Sequence, residues 1–202
     1  MRDLFYDFVD LLEILFLEPL RYAEEVNEIP FAVSKSSNWL FSILAALSIS
    51  TGMSLLSPPY TISTISFLIF GFISNLIILR FFPFFFGIVL DYYVHSKARN
   101  IRIGTLISFA RHAVVVFVLF GSVAMILQSL GIYGVGTGLF LLSFLFIVYA
   151  VLVGRGAKYI YDLKDKDAIR FSYTALGITL LFPFLLNLYT ATTILQSFAG
   201  GF

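Results

Sequence analysis

The stretch SSNWLFSILAALSISTGMSLLSPPYTISTISFLIFGFISNLIIL, residues 36–79, contains no Asp, Glu, Lys or Arg. A helix crossing a hydrocarbon core of roughly 30 Å needs about 20 apolar residues, so this run is two crossings long. Ser57-Pro58-Pro59-Tyr60 divides it near its middle. The two prolines remove backbone donors and force extended geometry, which predicts a turn between two helices.

Three more stretches share this freedom from charge: Phe81 to Leu90, Ala113 to Gly154 and Phe171 to Phe202. The second of these is again two crossings long. Its turn falls at Gly131 to Gly138, where glycines 131, 134, 136 and 138 tolerate positive φ. The last is one crossing, closed by Gly200-Gly201-Phe202. The pattern predicts an all-α integral membrane protein of five transmembrane helices, two hairpins plus one. An amphipathic cytoplasmic or interfacial N-terminal segment (1–35) precedes a membrane domain (36–196). Spans are placed near 37–56, 62–79, 113–130, 135–154 and 171–193, with an interfacial or cytoplasmic connection at 80–112 and a cytoplasmic loop at 155–170. Composition agrees: 59% of the 202 residues are hydrophobic and 12% charged, about half the soluble average of roughly 25%.

Orientation follows from the basic residues, which collect in cytoplasmic loops. Arg2, Arg21 and Lys35 precede the first span. Arg80, Lys97, Arg99, Arg102 and Arg111 lie between the second and third, and Arg155, Lys158, Lys164, Lys166 and Arg170 between the fourth and fifth. These are all 13 of the Lys and Arg residues, and the hairpin tips and C-terminal tail hold none. The expected topology is multi-pass with the N-terminus cytoplasmic and the C-terminus outside, in the cytoplasmic membrane of a prokaryote or an endomembrane of a eukaryote. The net charge of +1 adds little, because acidic and basic residues share one side.

No signal peptide is expected, since residues 1–30 carry acidic side chains from Asp3 to Glu28 where a secretory sequence has a basic start and an uncharged core. The absence of cysteine removes disulfide, thiolate-nucleophile and thiolate-metal chemistry. Leu4, Phe5, Phe8, Leu11, Leu12, Leu15 and Phe16 fall on one helical face, with Asp3, Asp7, Asp10 and Glu13 opposite. Helices lying on anionic membranes usually carry Lys and Arg on their polar face. This acidic one is expected to pack on its own bundle or a partner. Pro19 ends or kinks it and Pro30 marks a second break.

Phe81 to Leu90 is apolar but too short to span, and Pro83 interrupts it. Either the second helix bends at Pro83 and follows the interface, or one long tilted helix reaches Asp91 and draws Arg80 inward. The second costs about 2.5–3.5 kcal/mol near the bilayer centre, less with snorkelling, so the bent form is expected. Arg80, Arg111 and His112, with Lys97, Arg99 and Arg102 nearby, are candidate contacts for an anionic headgroup, and Asp91 with Arg111 a candidate ion pair. The plainer alternative is that they mark only the cytoplasmic boundary. Asn75, Gln128 and Asn187 within the spans either line a solute path or form interhelical hydrogen bonds, worth about 0.6 kcal/mol each. Pro183 predicts a kink in the fifth span.

No catalytic constellation is found: His95 and His112 are the two histidines, and no span contains a carboxylate. A non-enzymatic protein without cofactor or metal is expected. The layout resembles the Yip family (Yip/Yif-type membrane domain), in its prokaryotic form. The resemblance rests on Ile14-Leu15-Phe16-Leu17-Glu18-Pro19-Leu20-Arg21-Tyr22, then Ile29-Pro30 before the first span, five spans with a short tail, and the charged segment Arg155 to Arg170. It covers roughly residues 10–195. The Asp-Leu-Tyr-Gly-Pro motif of eukaryotic members is missing, which removes the basis for expecting Rab-type GTPase binding. The resemblance implies a scaffold or adaptor that associates with other membrane proteins or with itself, not with nucleic acid. A small transporter or channel subunit and an anionic-lipid-binding protein are the alternatives.

Overall fold

A computed structural model of the chain describes residues 2–25, 35–56, 62–95, 102–186 and 189. The regular elements among them are helical: α1 (Arg2–Phe16), α2 (Pro19–Glu25), α3 (Lys35–Ser54), α4 (Ile62–His95), α5 (Ile103–Ala113), a 3₁₀ segment (Val114–Val118), α6 (Leu119–Ser129), α7 (Val135–Tyr161) and α8 (Asp165–Thr179). Four helical runs are long and apolar enough to cross a membrane: Leu68–His95, Ile103–Ser129, Val135–Tyr161 and Asp165–Leu186. The described residues hold no strand, and these four helices make the chain a multi-pass membrane protein. The expected first span falls on α3, which is diluted by serine and threonine and is not one of the four; it packs along α4 and along the α5–α6 rod.

Helices extend well past the limits read from charge. α4 is one uninterrupted helix of 34 residues with Pro83 inside it, about 51 Å long. The helix thus continues 16 residues past Leu79, where the charge pattern placed the end of the second span. Proline removes one ladder hydrogen bond, and packing on either side holds the helix together. The Phe82 and Phe86 rings lie 5.4 and 5.3 Å from Tyr149, and Phe82 lies 5.2 Å from Phe146. Arg80 therefore sits within a rod rather than at its end.

The rod formed by α5, the 3₁₀ segment and α6 tightens over the β-branched run Val114-Val115-Val116. Ser48 of α3 meets the backbone just beyond: its hydroxyl donates to Val118 O at 2.7 Å and accepts from Gly121 N at 2.8 Å. Supplying partners to backbone groups beside an irregular turn is what the apolar interior of a bilayer requires. α6 then ends in a Schellman turn, with Gly131 at φ +70°, its N–H on Gln128 O and the Ile132 N–H on Leu127 O. Tyr133 fastens that turn to α3 by donating to Gly52 O at 3.0 Å.

The expected loop at 155–170 is mostly helix. α7 continues to Tyr161, Asp162 turns with φ 53°, and α8 begins at Asp165. Asp165 and Asp167 in the first turn of α8 favour its positive end, and Lys158 bridges to Asp165 at 2.7 Å. α8 is interrupted at Leu180, three residues before Pro183, where proline cannot bond back to Thr179. α7 and α8 are joined by Ser172, whose hydroxyl donates to Ala150 O, and Gly154 lets them approach: a Cβ there would lie 3.0 Å from Ser172 Cβ.

α1 and α2 close one end of the bundle. Leu11, Ile14, Leu15 and Tyr22 are fully buried, with α2 against α7 and α1 against α5. The outer surface of this pair leaves Tyr6, Val9, Leu17 and Leu20 exposed.

Candidate functional site

Two groups of polar side chains meet where α3, α4 and α5 come together, at the end of the bundle covered by α1 and α2. The first contains Arg80 and Arg111. Arg80 reaches from α4 across to α3, its Cζ 4.6 Å from the centre of the Trp39 ring. A guanidinium on an indole face gains about 0.5–2 kcal/mol, more as water is removed. Arg111, on α5, lies near enough to Arg80 for the two charges to repel. Both are half-buried. Neither takes part in an ion pair or side-chain hydrogen bond among the described residues, and Arg111 Nε is buried without an acceptor. Among the described residues the other buried polar atom without a partner is Asn38 Oδ1, next to Trp39 in α3.

His112 belongs to the second group and is completely buried, which corrects its assignment as a headgroup contact. Its Nδ1 lies 2.6 Å from the Tyr22 hydroxyl and its Nε2 3.2 Å from Ser37 Oγ. Tyr22 is also 3.1 Å from Ser108 Oγ. A neutral imidazole satisfies this arrangement if Ser108 donates to Tyr22, Tyr22 to Nδ1, and Nε2–H to Ser37. Tyr22 packs edge-on against Phe109 at 4.7 Å, and Phe41 edge-on against His112 at 5.8 Å. Burial pushes the Tyr22 phenol well above its ordinary value, with the Ser108 hydrogen bond opposing, so it stays neutral and can donate. The network ties α2 to α3 and α5.

Asp91 does not pair with Arg111. It accepts instead from the Tyr161 hydroxyl at the end of α7, and α4 and α7 are thereby latched. An open groove of about 540 Å³ lies beside it, lined by Ile88, Asp91, Tyr92, Tyr93, His95 and Ile103. Arg102, just before α5, is exposed. Asn75 donates to Ser50 Oγ at 3.4 Å and links α4 to α3, whereas the Gln128 side chain is exposed and forms no interhelical bond among the described residues. Lys97, Arg99 and Asn187 lie outside the described residues, as do Pro30 and the tip at Ser57 to Tyr60. The sequence did not single out Trp39, Ser37 or Ser108, and it marked Tyr22 only as the last residue of the stretch from Ile14. Trp39 alone had a legible sign: it is the one tryptophan, placed at the same end of its helix as the arginines.

Comparison of the chain with protein-family models, with curated proteins and with solved structures returned no match.

Proposed function

We propose that the chain is a non-enzymatic, five-span membrane protein that acts as a scaffold or adaptor for other membrane proteins, in the manner of the Yip-type domain its sequence resembles. In this reading α3 is a fifth crossing, the N-terminus and the charged segments face the cytoplasm, and the N-terminal pair α1–α2 is the partner-facing surface. The carrying observation is that α1–α2 is clamped to the bundle through Tyr22 and His112 while Tyr6, Val9, Leu17 and Leu20 point outward. A docked helix pair with an exposed apolar face, bordered by Asp7, Asp10 and Glu13, suits a partner offering apolar and basic groups.

Polar side chains in the spans give the transporter alternative little support. Ser48, Asn75, Tyr149 and Ser172 are each engaged across a helix contact, with Tyr149 donating to Ala110 O at 3.1 Å. The test is crosslinking and mass spectrometry in the native membrane with wild type and a Leu17→Ser/Leu20→Ser variant. Reproducible membrane-protein partners lost in the variant are expected. Partners unchanged by the variant, or solute flux in proteoliposomes, would overturn the reading.

A further inference from the structure

We infer that Arg80, Arg111 and Trp39 form a binding site for a phosphate group, set between α3, α4 and α5. This rests on the local geometry and is independent of the scaffold reading and of which side the termini face.

The charge balance of the cluster is the first reason. Two guanidiniums repel one another, in a half-buried position, with no carboxylate paired to either among the described residues. Asp91, the one acid in α4, is occupied by Tyr161. Burying like charges together is unfavourable unless an anion joins them, and the buried Nε of Arg111 is a donor still lacking an acceptor. Planar guanidinium forks match tetrahedral phosphate oxygens better than any other common anion-binding side chain.

Depth is the second reason. Going from Ile62 to Arg80 along α4, and from Ser129 back to Arg111 along α6 and α5, each helix rises about 27–30 Å. Two rods running in opposite directions thus place their single arginine one hydrocarbon thickness from the far end, where phosphates of a bilayer lie. Trp39 is 42% exposed on the flank of the bundle, giving the cluster an open side toward lipid, and indole rings favour that level. The same chemistry accepts either a lipid headgroup phosphate or a soluble phosphate, and the experiment separates them.

Trp39 is the only tryptophan, so its emission reports directly on the guanidinium stacked over it. The intact protein is placed in phosphatidylcholine nanodiscs, and phosphatidylglycerol is introduced in one series and inorganic phosphate in another. Tryptophan emission is recorded and retained lipid is weighed by native mass spectrometry. Saturable emission shifts are expected, with phosphatidylglycerol retained at least tenfold over phosphatidylcholine. Arg80→Gln and Arg111→Gln should each weaken binding about ten- to a hundredfold, the loss of one or two charge-assisted hydrogen bonds. Exposed Arg170→Gln should change it less than twofold, and Arg111→Lys serves as a folded variant that keeps the charge and loses the fork. A response to inorganic phosphate alone assigns the site to a soluble phosphate and supports the proposal. The proposal is overturned if neither series shifts the emission and lipid retention shows no preference, or if Arg170→Gln weakens binding as much as Arg80→Gln, which would make the effect one of general surface charge.

Discussion

Replacing Tyr22 by Phe deletes one oxygen and little else, because the ring that packs edge-on against Phe109 is retained. The lost hydroxyl is the partner of His112 Nδ1 at 2.6 Å and of Ser108 at 3.1 Å. His112 has no exposed surface, so water cannot replace the donor without opening the contact. A buried acceptor left unmet costs about 1–3 kcal/mol. Taking about 2 kcal/mol, the equilibrium for lifting α1–α2 from the bundle should rise about 30-fold. Hydrogen–deuterium exchange of the α1 and α2 amides measures that opening, with the α7 amides as an internal reference. If exchange in α1–α2 stays within twofold of wild type while α7 is unchanged, the network does not hold the N-terminal helices and the reasoning is refuted.

Burial of Tyr22 gives the same contact an alkaline limit. Its folded pKa is raised well above the ordinary 10.0, so the contact is at full strength below about pH 10 and weakens progressively as pH rises toward the folded value; limited proteolysis of α1–α2 should be flat from about pH 8 to about pH 10 and begin to rise by about pH 11, and Tyr22→Phe should remove the dependence. A methyl group at Gly121 would lie 2.8 Å from the Ser48 carbonyl and 2.9 Å from its hydroxyl, so Gly121→Ala should cost about 1–3 kcal/mol. Gly177→Ala meets nothing within 4 Å and should be neutral or stabilising by up to about 1 kcal/mol; midpoints of unfolding in sodium dodecyl sulfate compare the two. Because the chain has no cysteine, Ile132→Cys and Lys164→Cys each provide a single labelling site, at opposite ends of α7. An impermeant maleimide added to sealed vesicles should reach only one of them, and labelling of both from the same side would exclude α7 as a crossing.

The all-helical, membrane-crossing character of the chain was legible because lipid excludes charge, and four of the helices found in the runs poor in Asp, Glu, Lys and Arg are long and apolar enough to cross. Helix ends were not, for the same reason. α4 continues beyond Arg80 to His95 and α7 beyond Arg155 to Tyr161, since a helix satisfies its own backbone in either solvent and need not stop where the lipid does. Arg80 and Arg111 could be named from sequence as a pair at a boundary. Their missing counter-charge could not, because Asp91 sits in the same helix as Arg80 and only the folded chain shows it taken by Tyr161. His112 misled for a related reason. Beside an arginine at a span's edge it reads as a surface cation, while its actual partner Tyr22 lies 90 residues away in sequence. Nothing in the local pattern links the two.

A rod of 34 residues exceeds a hydrocarbon core by about 20 Å. Bilayers that differ by a few ångströms in thickness change how much of such a rod is wetted, without asking it to stretch, shorten or buckle. Helices cut to the width of one membrane incur a mismatch cost in another. α4 exposes apolar side chains on both sides of Arg80, Ile73 and Ile77 before it and Phe81 and Phe85 after it, so a change in thickness meets more apolar helix there rather than a helix end.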